Sequence, residues 1–435
     1  MAVLGGVAAV ISVTAAAQES TQRPSVLPAA MMSESGWTAT FASEVRYFSW
    51  QSGVGFPTRE APSGVRGHGS ELYIPFAMQL VGRPSDNFKF ELLGRGGWVE
   101  ARQSTAGFAG EVSTMTDTVV SSKVTYFGVN GIQPFVALNL NIPTGKSSLP
   151  GTAANARMDP DLVEIASFGE GFNIGPTIGF NLPITSNLIV TTSAGYTWRG
   201  KFDREASLAP LNPTVPISSR VDPGDVFTMQ TSVGYQLGQF ASTITGSVSW
   251  ETSTKENDMP LYRPGVRYLL SGKWSYTWPD VGVTTLTAAA SHSQRNEVLF
   301  LNVLVTSFGT EPFDTNSNVY RVGLEHLFPV GQLWLGPIGS YLRRDHNGYD
   351  SGTLQFVPAK DRLSAGVLAR YAANENVTVN VRVEHVWIHL DEDPATGSPP
   401  ARPSVLQGGG PVAGIPVPVV SSTGWQFALG ANVKF

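Results

Sequence analysis

Trp425, Phe427, Leu429, Ala431, Val433 and Phe435 fall on one parity of the last twelve residues, and Gly424, Gln426, Ala428, Gly430, Asn432 and Lys434 fall on the other. Successive side chains of an extended strand point to opposite faces, so this segment has one oily face and one wet face. Such a strand needs apolar surroundings on one side and water on the other. The edge of a soluble sandwich and the wall of a membrane barrel both provide that, and the rest of the chain decides between them.

Period-two alternation recurs from Gly36 onward in about sixteen segments, each long enough for the roughly 9 to 11 residues that cross a bilayer at a tilt. They lie near 36–50, 70–82, 87–101, 116–129, 132–142, 170–182, 187–202, 225–237, 239–251, 264–278, 281–294, 316–327, 331–344, 361–372, 376–390 and 424–435. Every second connection is tight: Arg83-Pro84-Ser85-Asp86, Asn130-Gly131, Pro183-Ile184-Thr185-Ser186, Leu237-Gly238, Pro279-Asp280, Pro329-Val330 and Ala373-Asn374-Glu375. Those between are long and rich in Gly, Pro, Ser and Asp, as in Gln51 to Gly69, Pro143 to Gly169, Asp203 to Gly224 and Asp391 to Thr423. Short turns at one rim and long loops at the other are the rhythm of an outer-membrane barrel, and closure removes exposed sheet edges. The expected fold is all-β, a closed antiparallel transmembrane β-barrel of about 16 strands. Segments 281–294 and 331–344 alternate ambiguously, which leaves counts of about 14 or 18 open.

Of the 435 residues 14% are charged, and no stretch approaches the roughly 18 unbroken apolar residues of a membrane helix. Ala2 to Val13 are apolar and Ala15-Ala16-Ala17 precede Gln18, the pattern of a secretory signal peptide over residues 1–17, although the usual Lys or Arg near Met1 is missing. Residues 18–35 then form a short periplasmic segment, and 36–435 a single barrel. The chain has no cysteine, which suits passage through an oxidising compartment. A net charge of −5 argues against a nucleic-acid partner.

Charge segregates by parity. In 188–201 the apolar side carries Leu188, Val190, Tyr196 and Trp198, and the other carries Thr191, Ser193, Arg199 and Lys201. Tyr268, Leu270, Trp274 and Tyr276 likewise oppose Arg267, Ser271, Lys273 and Ser275. A lipid-facing Lys or Arg at mid-membrane costs about 2–4 kcal/mol, so the charged parity is the lumen side. Clean alternation over Val377 to Val383 slips at Glu384-His385-Val386, which reads as a bulge.

A strand that ends on an aromatic with apolar residues alternating up to it resembles the closing strand of bacterial outer-membrane barrels. The resemblance makes Trp425, Phe427 and Phe435 an assembly signal for the barrel-assembly machinery, with outer-membrane lipid as the other partner. Pro134-Phe135-Val136-Ala137-Leu138-Asn139-Leu140-Asn141-Ile142-Pro143 followed by Thr144-Gly145-Lys146, together with Gly169-Glu170-Gly171-Phe172-Asn173-Ile174-Gly175-Pro176, resembles outer-membrane proteins linked to meta-pathway phenol degradation. That family is more distantly similar to hydrophobic-substrate channels of the fatty-acid transporter type. Those carry an N-terminal plug, for which Gln18 to Ser35 is short.

Sixteen strands enclose water, so transport is the leading function. The lumen parity carries Arg46, Lys89, Arg95, Arg199, Lys201, Arg267, Lys273, Arg321 and Arg382 against Glu91, Glu325 and Glu384. These charges are either a field that favours anionic solutes or cross-strand ion pairs that hold the wall. The third long connection holds Lys146, Arg157, Asp159, Asp161 and Glu164, and resemblance to porins makes it the candidate constriction loop. Ser291-His292-Ser293 is a poor catalytic site because neighbouring strand residues face opposite ways. His385 and His389 are about 13 Å apart along a strand, too far for one metal ion. The expectation is a non-enzymatic channel, without cofactor or metal, for passive diffusion of small anionic or aromatic solutes. A structural or surface-binding barrel acting through its external loops is the alternative.

Overall fold

The computed structural model describes residues 36–52, 67–105, 108–129, 131–158, 161, 163–205, 218–301, 306–349, 357–391 and 420–435. The readings of residues 1–17 and 18–35, and most of the connection from Asp391 to Thr423, lie outside them.

The chain runs through β1 (Trp37–Ser52), β2 (Gly67–Ser85), β3 (Phe88–Thr105), β4 (Phe108–Met115), β5 (Thr118–Tyr126) and β6 (Gln133–Ile142). A 3-10 turn (Gly151–Ala156) precedes β7 (Asn173–Thr185), β8 (Leu188–Arg199), β9 (Phe202–Glu205), β10 (Ser218–Asp222), β11 (Val226–Leu237) and β12 (Phe240–Glu251). Then follow β13 (Thr254–Glu256), β14 (Met259–Arg263), β15 (Arg267–Trp278), β16 (Gly282–Ser293), β17 (Glu297–Leu301) and β18 (Thr306–Thr310). The last are β19 (Val319–Val330), β20 (Leu333–Arg344), β21 (Lys360–Ala372), β22 (Val377–Leu390) and β23 (Val420–Lys434).

Sixteen antiparallel staves close into a barrel, in the order β1-β2-β3-β5-β6-β7-β8-β11-β12-β15-β16-β19-β20-β21-β22-β23. Closure is made by β23 on β1, from Thr40↔Lys434 to Ser52↔Ser422. Both ambiguous segments are staves, β16 and β20, which fixes the count. All the segments expected from alternation match a stave. One was read too short: β4 pairs with the outer half of β3 and β5 with its inner half, so the two are one stave broken at Thr116-Asp117.

The parity holds around the ring. Met78, Ile178, Leu270 and Leu429 are more than half exposed and face outward, as an oily face turned to lipid must. Inward positions on β6 to β16 are mostly Asn, Gln, Ser, Thr and Gly. The phase slip expected at Glu384-His385-Val386 does not occur, because β22 keeps one register with β21 and with β23 over its whole length. Val386 and Ile388 are apolar on the wet parity because they join a buried cluster inside the mouth.

Beyond the outer ends of β8, β11, β12, β15 and β16 the wall kinks into a separate six-stranded sheet, in the order β18-β17-β14-β13-β10-β9. Gly224 sits at one kink. A side chain there would meet the Thr252 carbonyl oxygen at 2.0 Å, so only glycine lets the two backbones approach.

The parity assignment predicts an asymmetry between adjacent residues of β12. Ile244, exposed outward, becomes a buried charge in lipid when changed to Arg, whereas Thr245 faces the lumen beside Ser232 Oγ, which its hydroxyl reaches at 3.0 Å. Ile244→Arg should cost about 2–4 kcal/mol and Thr245→Arg less than about 1 kcal/mol, read from urea unfolding in vesicles. Equal losses would contradict the assignment.

Candidate functional site: a loop folded into the mouth

The connection from β6 to β7, residues 143–172, crosses the barrel. Six staves separate β6 and β7 from β20 and β21 in either direction around the ring, so the two pairs stand diametrically opposite. Yet Asp161 of the loop accepts hydrogen bonds from Arg344 at the end of β20, Nε at 2.8 Å and Nη2 at 2.9 Å, and from Lys360 Nζ at the start of β21 at 3.0 Å. A chain that leaves one wall and is held at the opposite one has to run across the lumen. Burial alone would raise the Asp161 pKa, but Arg344 and then Lys360 override it and hold the carboxyl well below the usual range.

More wall contacts hold the rest of the loop. Glu164 is ion-paired with Arg46 of β1, which also holds Glu44 at 2.7 Å. Glu71 of β2 is buried and accepts the backbone N–H groups of Glu164 and Ile165, both at 3.2 Å. Gln103 of β3 donates to the Asn155 carbonyl at 3.0 Å, and Trp50 Nε1 lies 3.2 Å from Met158 Sδ. Leu149, Ala156, Met158, Val163 and Phe168 of the loop pack on Phe48, Trp50, Val99, Ala101, Val112, Val386 and Ile388 of the wall. Burying these side chains gives the inward loop a hydrophobic driving force of about 1.5–3 kcal/mol for each large residue.

The break between β4 and β5 aims Asp117 at the loop base. It accepts from Asn141 Nδ2 at 2.7 Å, Gly145 N at 3.0 Å and Glu170 N at 2.8 Å, closing the two ends of the loop on each other. A side chain at Gly145 would sit 1.8 Å from the Phe168 carbonyl oxygen, which gives the Pro-Thr-Gly stretch a physical reason.

The residues singled out in the sequence divide clearly. Asp161 and Glu164 reach the wall, Arg157 donates to the Ser147 carbonyl of the same loop at 2.9 Å, Lys146 is exposed, and Asp159 lies outside the described residues. Arg46, Lys89, Arg95, Arg199, Arg267, Lys273, Arg321, Arg382, Glu91, Glu325 and Glu384 all lie on the inward parity. Lys201 does not, because it follows the end of β8 and binds Asp258 at 2.6 Å and Asp222 at 3.5 Å beside the outer sheet. Glu91 takes Lys89 at 2.9 Å and Lys123 at 3.8 Å, and Glu325 takes Arg370 at 3.7 Å. Arg199 is buried at the kink, ion-paired with Glu251, with its Nε on the Gly224 carbonyl at 2.5 Å. Arg95, Arg267, Lys273 and Arg382 meet no carboxylate within ion-pair distance among the described residues. Trp425 and Phe427 face outward and stack at 6.2 Å, and the Phe435 N–H donates to Ala39 at 2.8 Å.

His292 faces outward on Tyr268, with Nδ1 2.8 Å from Asn318 Oδ1, while Ser291 and Ser293 face the lumen. His389 pairs with Asp391 at 3.6 Å, and Glu392 and Asp393 lie outside the described residues. Sequence reasoning missed Asp117, Arg344, Lys360 and Trp50. The available sign was apolar residues on the wet parity near the outer strand ends, at Phe48 and Trp50, Val99 and Ala101, and Val386 and Ile388.

No protein-family model and no curated protein matches the chain. Among solved structures it is similar to an outer membrane channel from Pseudomonas putida F1, at 9% identity and TM-score 0.34, covering 91% of this chain and 96% of that one. It is also similar to the P. putida toluene transporter TodX, at 8% identity and TM-score 0.40, with 93% and 90% covered. The CymD monoaromatic hydrocarbon channel matches at 12% identity and TM-score 0.38, with 99% and 95% covered. Likeness this low carries no inference about the solute.

Two predictions follow from the buried charges. Arg199→Gln breaks the buried ion pair with Glu251 and should cost about 3–5 kcal/mol in unfolding experiments, while leaving ion selectivity unchanged. Glu170, whose Oε1 is buried without a partner, has its carboxyl pKa pushed up to about 7 by burial, with Asp117 and Glu251 adding to the effect and Arg199 opposing it. Because the folded pKa lies above the unfolded one, ionisation is penalised only in the folded state, so stability falls as pH rises from about 4.5 through about 7. Glu170→Gln should match the parent in thermal unfolding at pH 4 and exceed it at pH 8. Parallel pH profiles would contradict the assignment.

Proposed function

We propose that the chain is a bacterial outer-membrane channel for passive diffusion of small solutes, with residues 143–172 as its constriction. The observation that carries this reading is the pairing of Asp161 with Arg344 and Lys360 inside a closed 16-stave barrel. A ring of that size leaves an aqueous passage unless something narrows it. The loop narrows it from one side and is fastened at several points, so the passage is a fixed aperture and its contents are sorted by size and charge. Wall hydroxyls and amides form hydrogen bonds with one another, as in Ser121 to Asn139 at 2.7 Å and Thr191 to Asn181 at 2.9 Å, and give the passage a hydrophilic lining. Trp425, Phe427 and Phe435 serve as the strand end that the barrel-assembly machinery reads, and the outward apolar band is the surface that meets lipid.

In planar bilayers the folded, heat-modifiable protein should give steady conductance steps. Asp161→Asn combined with Glu164→Gln removes the loop's two charged attachments to the wall and should raise single-channel conductance by about twofold or more. Silence from folded protein would remove the channel reading. An unchanged step in the variant would remove the constriction role of the loop.

A further inference from the structure

Of the four inward cations that meet no carboxylate among the described residues, Arg95, Arg267, Lys273 and Arg382, Lys273 is the exposed one. It lies at the middle of β15, is exposed to the lumen, and has no carboxylate within ion-pair distance among the described residues. Its direct inward neighbours all carry hydroxyls. Thr243 of β12 and Thr287 of β16 are its direct cross-strand partners, and Ser271 and Ser275 flank it along β15. Directly opposed side chains have their Cβ atoms about 4.5–5.5 Å apart and residues two apart on a strand lie about 7 Å apart, so the four hydroxyl residues ring the base of the Lys273 side chain within the span of one small molecule. Glu325, aligned with Thr285 on the neighbouring stave, is engaged by Arg370 at 3.7 Å and leaves the Lys273 charge uncompensated.

Position strengthens the argument. The loop attachments described above fall on β1 to β4 and on β20 to β22, so β15 lies on the side of the lumen that those attachments leave clear. A solute passing the loop on that side travels along the hydroxyl-lined wall and meets Lys273 midway. Arg46, Lys89, Arg199 and Arg370 are tied to glutamates, and their fields are largely cancelled at the distance of a passing solute.

We propose that Lys273, with Thr243, Thr287, Ser271 and Ser275, forms a midway binding site for small hydroxylated carboxylates. The ammonium takes the carboxylate as a compact point charge, and the ring of hydroxyls donates to and accepts from the hydroxyls of the solute. A bare anion uses only the first part of the site, and a neutral polyol only the second. The proposal rests on the channel reading and goes further, since it names the solute class and the residue that selects it.

The test measures reversal potentials in a potassium chloride gradient and gluconate-induced current noise, using the full-length protein in planar bilayers. The parent should prefer anions, and gluconate should interrupt its current. Lys273→Gln should lower the anion-to-cation permeability ratio by roughly twofold or more, with a larger effect at low salt, and weaken the gluconate block about tenfold. Lys273→Arg should keep the anion preference. Thr243→Val with Thr287→Val should spare the ratio for chloride and weaken gluconate block alone. Folded protein that passes no current counts against the channel itself. A conducting parent whose selectivity and gluconate block survive Lys273→Gln overturns the site, and a gluconate block untouched by the two valines overturns the hydroxylated class of solute.

Discussion

Hydrocarbon offers no hydrogen-bond partner to a peptide group, and everything else in this molecule depends on that constraint. An unpaired backbone group in the bilayer core costs several kcal/mol, so a strand-built membrane protein has to close on itself. Here the closing seam, β23 on β1, is as continuous as any other pairing, from Thr40↔Lys434 to Ser52↔Ser422. Closure around sixteen staves then fixes a second condition, because a ring that wide encloses a space its own side chains cannot fill. Some of that space is taken up by the 143–172 loop.

The loop is held by two kinds of force that act at different places. Near β1 to β4 and β22 it is packed, with Met158, Val163 and Phe168 against wall residues such as Val99 and Val386. At the far wall it is pinned by charge, with one aspartate between an arginine and a lysine. Packing without the pin would leave the far end free to swing, while the pin without the packing would hold a long floppy span. Asp117 completes the arrangement by binding both ends of the loop where it leaves the wall.

The architecture was legible in the sequence because a barrel wall writes its geometry into every second residue. Stave number, lipid face, tight turns and most inward charges all follow from that period. Tertiary contacts within the lumen carry no such period, and the readings failed there. Val386 and Ile388 looked like a phase slip because a wet-face position that is covered by a folded-in loop becomes apolar, and alternation has no way to distinguish that from a bulge. β4 was missed for a related reason, since Thr116-Asp117 breaks the parity within one stave. Lys201 was carried past the true end of β8 by extending a clean alternation two residues too far. Asp161 and Glu164 were identified as loop charges of interest, but their partners Arg344, Lys360 and Arg46 are far away in sequence, and a single sequence records nothing about such pairings.

The central claim is that the loop spans the lumen to the opposite wall. The chain contains no cysteine, so a pair introduced at Asp161 and Lys360 is the only thiol pair present. Treating intact cells with a short bifunctional thiol reagent tests it most directly, followed by mass mapping and single-channel recording of the purified protein. The account predicts an intramolecular cross-link between the two positions in the folded barrel, with the conductance of the linked protein held at the level of the parent. Independent labelling of both cysteines by a membrane-impermeant maleimide, with no link formed between them, would contradict it.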